Sequence, residues 1–499
     1  MNVLLKKYGL DLIIVVSFVF VCMLRFTPQL QGKVVTQSDV VQAEAMQKEA
    51  QDYNRTHDDV TYWTNNMFGG MPTYAIWAPT FNPIAIPMKF MQLGFKGPIG
   101  MVFMAMLCMF LLLRLMTIPS WLAGFIAIAF GLCTNHMILW EAGHTNKLLT
   151  VANASLVIAA MFLAFEKRTL IPALLTMAFG LALNIKSGHI QMTYYLFLAV
   201  LVMGICYGIE AIRKRELVPF VRQSGALLGG AIIAVLLCWN SLSIQNSFKK
   251  DTMRGVPILE SKSTEDASSS SETEGLAWNY AMQWSNGPLD MLAMLVPRAA
   301  GGGGAEKPVK NSKMLRSLRE RGVNTRDMRL PYYFGDLPVT SGGIYFGVSL
   351  FFFFLLSCFQ LRGPLQWWLI GSFVLLSLLA MGKNAAWFNL PFYKIFPLYN
   401  SFRAPSSITT ISILPVIIGA ALGVKQVVDS EWKEYRRALL LSSIVLSVIC
   451  LFVGFLLPSM SDLAGASDAR LQTMGFDPEL LRQDRAIALR NDSIRSLLF

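Results

Sequence analysis

The feature that most constrains this chain is a series of nearly uncharged apolar runs, each about 17–20 residues long, recurring from one end to the other. At about 1.5 Å of rise per helical residue, such a run crosses the roughly 30 Å hydrocarbon core of a bilayer. Eleven runs fit that description: 9–26, 98–116, 120–139, 149–165, 169–185, 190–209, 224–243, 341–360, 365–382, 406–424 and 438–457. Composition agrees, because only 15% of the 499 residues are charged against about 25% in an ordinary soluble domain. The expected fold is an all-α polytopic membrane protein with about 11 transmembrane helices. A soluble enzyme, a disordered tail and a secreted disulfide scaffold are all excluded.

The net charge of +12 belongs to membrane topology rather than to nucleic acid. Lys and Arg sit in short loops between runs, not on one face interleaved with stacking aromatics, so no nucleic-acid partner is expected. With the N-terminus on the cytoplasmic side, fourteen basic residues fall on that side, at Lys6, Lys7, Arg114, Lys167, Arg168, Arg213, Lys214, Arg215, Arg222, Arg362, Lys425, Lys433, Arg436 and Arg437. The opposite short loops hold five: Lys147, Lys186, Lys383, Lys394 and Arg403. That asymmetry sets the orientation. The chain then reads as a transmembrane domain over 1–457 with outer loops 27–97 and 244–340, followed by an outer C-terminal segment, 458–499. The first run has Lys6 and Lys7 before it and Arg25 directly after it, with no small-residue cleavage site, so it reads as an uncleaved span. The expected location is the inner (cytoplasmic) membrane of a bacterium.

All seven cysteines lie in or at the end of apolar runs, so no disulfide braces the loops and no Cys/His cluster suggests zinc. The first outer loop predicts a helix over 38–53 and an aromatic, Gly/Pro-rich stretch over 62–87, where Pro79, Pro83 and Pro87 argue against one continuous helix. In the second, a polar tract over 261–274 cannot build a core. It is followed by a tetraglycine at 301–304 and a basic segment from Lys307 to Arg329, and this region is expected to be mobile and to order on a ligand. At the end, Ile494 to Phe499 looks like the start of a further apolar run, as if the chain stops just before a twelfth span.

Inside the runs the informative observation is a negative one. Asp11, Arg25 and Arg114 lie near run ends, and no Asp, Glu, Lys or Arg occupies a mid-membrane position. Ion-coupled transporters carry such residues despite an insertion cost of about 2.5–3.5 kcal/mol each, so a proton-relay transporter is disfavoured. The polar residues that stand out gather on the outer side. Asp39 follows the first span, His144 and Lys147 share one tight loop, Lys186 and His189 share the next, and Arg403 precedes the tenth span. Singly, each has a bland reading as a snorkelling anchor, a headgroup contact or a solvated cap. Together they place basic donors near one depth, which suits a phosphate or pyrophosphate, with acidic groups at hand. Asp39 is the leading candidate for a general base or a metal ligand, with Asp58, Asp59 and Glu141 as alternatives. The aromatic segment from Trp63 to Trp77 is either an interfacial belt or a wall for a sugar or lipid tail.

These residues fall in motifs that resemble the YfhO family of bacterial multi-pass membrane proteins, itself similar to GT-C glycosyltransferases that use polyprenyl-phosphate donors. The resemblance rests on Asp39 with Gln42, Phe68-Gly69-Gly70-Met71-Pro72, Gly143-His144-Thr145-Asn146-Lys147 and Gly188-His189-Ile190-Gln191 with Tyr194-Tyr195. It continues through Trp284-Ser285, Tyr333-Phe334-Gly335-Asp336 with Gly343-Ile344-Tyr345, and Phe402-Arg403-Ala404-Pro405-Ser406. It implies a GT-C-like architecture and transfer of a sugar from a polyprenyl-phosphate-linked donor to a cell-envelope polymer or lipid acceptor. Asp39 becomes the catalytic acid/base. His144, Lys147, Lys186, His189 and Arg403 become contacts to the donor phosphate, and Gln42, Trp63, Tyr74 and Gln191 contacts to acceptor or sugar. A divalent cation, Mg²⁺ or Mn²⁺, on loop carboxylates is compatible with the chemistry, and membrane lipids are expected partners. Two departures stand out: the chain is shorter than is usual in that family, and Asp290 stands near where a Glu is expected. The competing readings are a non-enzymatic transporter or flippase of a lipid or polysaccharide precursor, and a structural membrane subunit.

Overall fold

The computed structural model describes residues 2–74, 82–249, 251–252, 254–255, 275–338, 340 and 342–499. Trp77, Pro79 and the polar tract 261–274 lie outside the described residues. In chain order the helices that matter are α1 (Asn2–Arg25), α2 (Ser38–Thr56), α3 (Pro98–Leu115), α4 (Ser120–Gly131), α5 (Thr134–Glu141) and α6 (Thr145–Phe165). They continue with α7 (Leu170–Lys186), α8 (Ile190–Lys214), α9 (Leu217–Leu237), α10 (Lys313–Glu320), α11 (Val348–Gln360) and α12 (Pro364–Ala380). The last are α13 (Ala386–Ile395), α14 (Thr409–Asp429), α15 (Trp432–Leu451) and α16 (Pro478–Leu498).

Among the described residues eight helices are long and apolar enough to cross a membrane, and a ninth joins them if α12 and the helical stretch Gly382–Ile395, bent by 115°, count as one span. The chain is thus an all-α, multi-pass membrane protein. One expected run differs in length: 341–360 yields α11 with only 13 residues, whereas α7 has 17, as its run does. The third run is not one straight helix but two, α4 and α5, broken at 132–133. At the α12 bend Gly382 sits at φ +45°, and a side chain there would run into the Ser285 hydroxyl.

The chain divides into two compact units, 1–132 with 139–200 and 211–276, and 133–138 with 201–210 and 277–499. In the first, α6 is buried along its whole apolar length. Its neighbours approach closely because glycine faces them, the familiar device of helices packed in lipid. A Cβ on Gly180 of α7 would meet Leu156 Cβ at 2.8 Å, and one on Gly230 of α9 would strike the Leu174 carbonyl. At the other end Arg114 of α3 grips Asp11 of α1 with two bonds of 2.9 and 3.2 Å. The segment 27–97 holds α2, as expected, and a hairpin that pairs the two-residue strands β1 (Trp63–Thr64) and β2 (Met71–Pro72).

In the second unit α14 is the buried helix, with Gly419 against Phe354 and Gly423 against the backbone of Phe353 in α11. A lobe made of 288–338 and 461–499 rests on the end of α15 and its helical continuation over 452–460. Ala293, Val296 and Ala299 pack there with Val453 and Leu457, and Leu489 of α16 closes the cluster. A second cluster joins Met314, Leu318, Leu330 and Tyr332 to Leu481.

The expectation of a mobile region fails here. The tetraglycine is a packed turn: Gly301, Gly302 and Gly303 are buried, and Gly301 sits at φ +88° where a Cβ would collide with the Tyr332 carbonyl. Glycine is needed for the close approach and the conformation, not for slackness. The basic segment contains α10, whose Met314 and Leu318 are buried. Ile494 to Leu498 form the last turn of α16, a helix whose buried face carries Asp484, Arg485 and Asp492.

Candidate functional site

Three chain segments of the first unit meet around Asp39. Asp39 lies in the first turn of α2, where a carboxylate is favoured by the helix dipole. The second segment is the turn between α5 and α6. There Gly143, at φ +83°, lies so close to Val40, Asp39 and Gln37 that a Cβ would come within 3.2–3.4 Å of each. The Gln37 amide donates to the Trp140 carbonyl and locks the two segments together. That places His144, the residue capping α6, with Nε2 at 3.2 Å from Asp39 Oδ2. An ionised carboxylate only accepts hydrogen bonds, so this imidazole nitrogen carries the proton.

The third segment is the turn between α7 and α8. Gly188, at φ +82°, approaches the Asn146 side chain, and His189 caps α8 as His144 caps α6. Neither histidine gives its helix a side-chain cap, and the N-terminus of each helix points its positive dipole end into the cluster. Such ends attract anions. Lys147 in the first turn of α6 acts electrostatically on both histidines. Burial, reinforced by Lys147, pushes His189 down to about 3 and lowers His144, which the Asp39 carboxylate only partly offsets. Both imidazoles are therefore neutral near pH 7 and serve as hydrogen-bonding groups. Positive charge comes from Lys147 and the helix ends.

The depressed His189 has a measurable consequence. Between about pH 3 and 6.5 the unfolded chain holds a proton on this ring that the folded chain does not. Stability from this group is thus complete above about 6.5 and lost progressively as pH falls toward 3. Melting followed in detergent at about pH 7 and about pH 5 should show a smaller loss on acidification for His189→Gln than for the parent chain. An identical loss in both would show that His189 does not titrate this way.

Beneath the turns lies a polar ladder that residue-type reasoning passed over. Asn153 of α6 donates to Ser187 Oγ at 2.9 Å and to the Leu183 carbonyl at 3.3 Å, while Asn184 of α7 donates to the Thr150 carbonyl at 2.6 Å. All four of these polar residues are buried. The signal was present as asparagines inside apolar runs, because side-chain amides in such runs commonly pair across helices.

The other sequence-predicted residues are placed as follows. Gln42 is exposed one turn beyond Asp39. Gln191, in the first turn of α8, donates to Tyr195 Oη at 2.8 Å. Lys186 is the last residue of α7 and half-buried. Trp63 lies across Gly70 in the hairpin, with its indole N–H on Asn65 at 3.1 Å, and Tyr74 stands edge-on to Phe248 at 5.8 Å. No described contact draws Trp63 or Tyr74 to the histidines. Asp58, Asp59 and Glu141 are exposed. Arg403 belongs to the second unit, where its guanidinium donates to Tyr280 Oη at 2.6 Å and lies over that ring. Asp290 is a half-buried tie: it accepts from Tyr333 Oη at 2.7 Å and from the Gly287 and Asp336 amides at 2.8 and 3.2 Å. Burial holds its carboxyl above the usual range.

Among the described residues no group of three or more His, Cys, Asp and Glu is arranged to hold a metal. Asp39 and His144 form a pair. Compared with known proteins, the chain matches no family model, no curated protein and no solved structure.

Proposed function

We propose that the chain transfers a sugar from a polyprenyl-phosphate donor to a cell-envelope acceptor, at the cluster of Asp39, His144, Lys147 and His189. The observation that carries this reading is a carboxylate–imidazole pair set beside two uncapped helix N-termini and a lysine. An acceptor hydroxyl attacks the anomeric carbon as the bond to the phosphate oxygen breaks. The hydroxyl proton passes to Asp39, and the polyprenyl phosphate leaves with the bonding electrons. Negative charge on the phosphate grows along this path, and preorganised N–H donors with Lys147 favour that growth. His144 orients the Asp39 carboxylate for that transfer. The test is transfer of radiolabel from polyprenyl-phosphate sugars to envelope fractions. Binding of such lipids without transfer would favour the flippase or transporter reading instead.

The same proposal includes eleven crossings of a bacterial inner membrane with a cytoplasmic N-terminus. Parity supports the count. The turns at 141–147 and 186–191 meet on one side, so α6 and α7 each cross despite the short α7. In the second unit Arg485, after α15, donates to the carbonyls of Pro331 and Tyr332, before α11. The two segments share a side only if an even number of crossings separates them, and α14, α15 and α12 taken with its bent continuation α13 make three. The 13-residue α11 is the fourth. Single cysteines placed at exposed Asn324 and Glu431 in intact cells should then react oppositely with an impermeant maleimide, the first labelled and the second protected. Labelling of both, or of neither, would break the topology.

A further inference from the structure

We propose that the lobe of the second unit carries a lipid-binding face, on which the basic segment from Lys307 to Arg329 engages the anionic headgroups of phospholipids in the leaflet on its own side. This inference is independent of the sugar-transfer reading. Between those two residues stand eight Lys and Arg against two acidic residues, Glu320 and Asp327. All eight cations are exposed, and among the described residues none makes an ion pair. Their polar contacts are with neutral groups: Lys313 with Gln483, Arg319 with Thr325, Arg321 with the Gly475 carbonyl, and Arg329 with the Ala305 carbonyl. The nearby Asp477 and Glu479 at the start of α16 pair with none of them.

The contrast lies within the same lobe. Arg298, Arg482 and Arg485 each meet a carboxylate at 2.8–3.2 Å. The fold thus neutralises its structural arginines and leaves this segment uncompensated. Self-repulsion of that kind favours an anionic partner.

Placement selects which anion. The lobe packs directly on Val453 and Leu457, at the end of the last membrane helix, so it is held at the membrane surface rather than on a stalk. Headgroup charge acts within about a Debye length, roughly 8 Å in physiological salt. The apolar side of α10 is already used against Leu481, which leaves the cations to act through charge, without insertion of an apolar face into lipid.

The test uses the full chain in neutral detergent, titrated with fluorescent phosphatidylglycerol and, separately, with inorganic polyphosphate. Replacing Lys307, Lys310, Arg316 and Arg326 by Gln should weaken phosphatidylglycerol binding by up to about five-fold per cation removed, and should flatten its salt dependence. Arg316→Lys with Arg326→Lys should bind as the parent does, because headgroup attraction follows charge rather than the guanidinium fork. Should the fourfold variant unfold, Lys310→Gln alone carries the test with one such step. Binding of the lipid unchanged by these removals would overturn the proposal. So would polyphosphate held by this segment and not displaced by the lipid, which would assign the face to a soluble polyanion.

Discussion

Membranes carrying Asp39→Asn should lose sugar transfer from polyprenyl-phosphate donors while keeping the protein at its normal level. Asparagine preserves the size of the side chain and can still accept from His144 Nε2, which lies 3.2 Å from Asp39 Oδ2. It does not take up a proton at neutral pH. General acid–base groups typically contribute about 10²–10⁴-fold, and a loss of that size is expected. Folding should be spared, because the Asp39 carboxylate is 57% exposed and the segment is held by Gln37 on the Trp140 carbonyl. His144→Gln should be milder in rate, since it alters orientation but leaves the carboxylate. Full transfer by Asp39→Asn would remove Asp39 from the chemistry and move attention to Asp58, Asp59 and Glu141. Loss in both variants together with loss of the protein from the membrane would mean that the pair is structural.

The candidate site was legible to an unusual degree because its parts are local. Asp39, His144 with Lys147, and Lys186 with His189 each sit at a run boundary, and run boundaries follow from hydropathy alone. Residue types did not reveal the charge states. Two histidines among lysines read as cations, whereas burial makes both neutral, and burial is a property of the assembled helices. The start of α11 was blurred for a related reason. Ile344, Tyr345 and Phe346 extend the apolar run but precede the helix, so a run of suitable length does not guarantee a helix of that length. The break before α5 and the bend after α12 depend on single turns with no Pro to announce them.

The lobe was the least legible part, because its order comes from contacts between segments more than a hundred residues apart. Four glycines in a row and a run of Lys and Arg have the composition of a linker, and nothing nearby in sequence contradicts that reading. What orders them is Arg485, which is separated by α11 to α15 from the turn it holds. A mixed-charge helix such as α16 normally reads as solvent-exposed. Here its arginine is the most deeply buried cation of the lobe, with a fully buried side chain.

Arg485→Met should release that turn, and this is the largest stability effect expected anywhere in the second unit. The guanidinium spends its donors on the Tyr332, Leu463, Pro331 and Tyr333 carbonyls at 3.1, 2.9, 2.9 and 3.4 Å, on Asp468 at 2.8 Å and on Ser467 at 3.1 Å. Methionine fills much of the volume but leaves several carbonyls without a donor, while Asp468 keeps only Arg482 at 2.9 Å. Removing one partner of a buried charge pair usually costs about 3–5 kcal/mol. Arg485→Lys should recover little, because an ammonium offers three donors from a single point whereas the guanidinium fans five donors across a plane. Limited proteolysis of the full chain in detergent should then cut both variants within 299–338 and 461–477 at protease levels that spare the parent. The membrane helices of the first unit should survive, because the cluster around α6 contains no residue of the lobe. Equal resistance of parent and Arg485→Met would show that the apolar clusters at Leu481 and Leu489 hold the lobe without the cation, and that the arginine is tolerated rather than required.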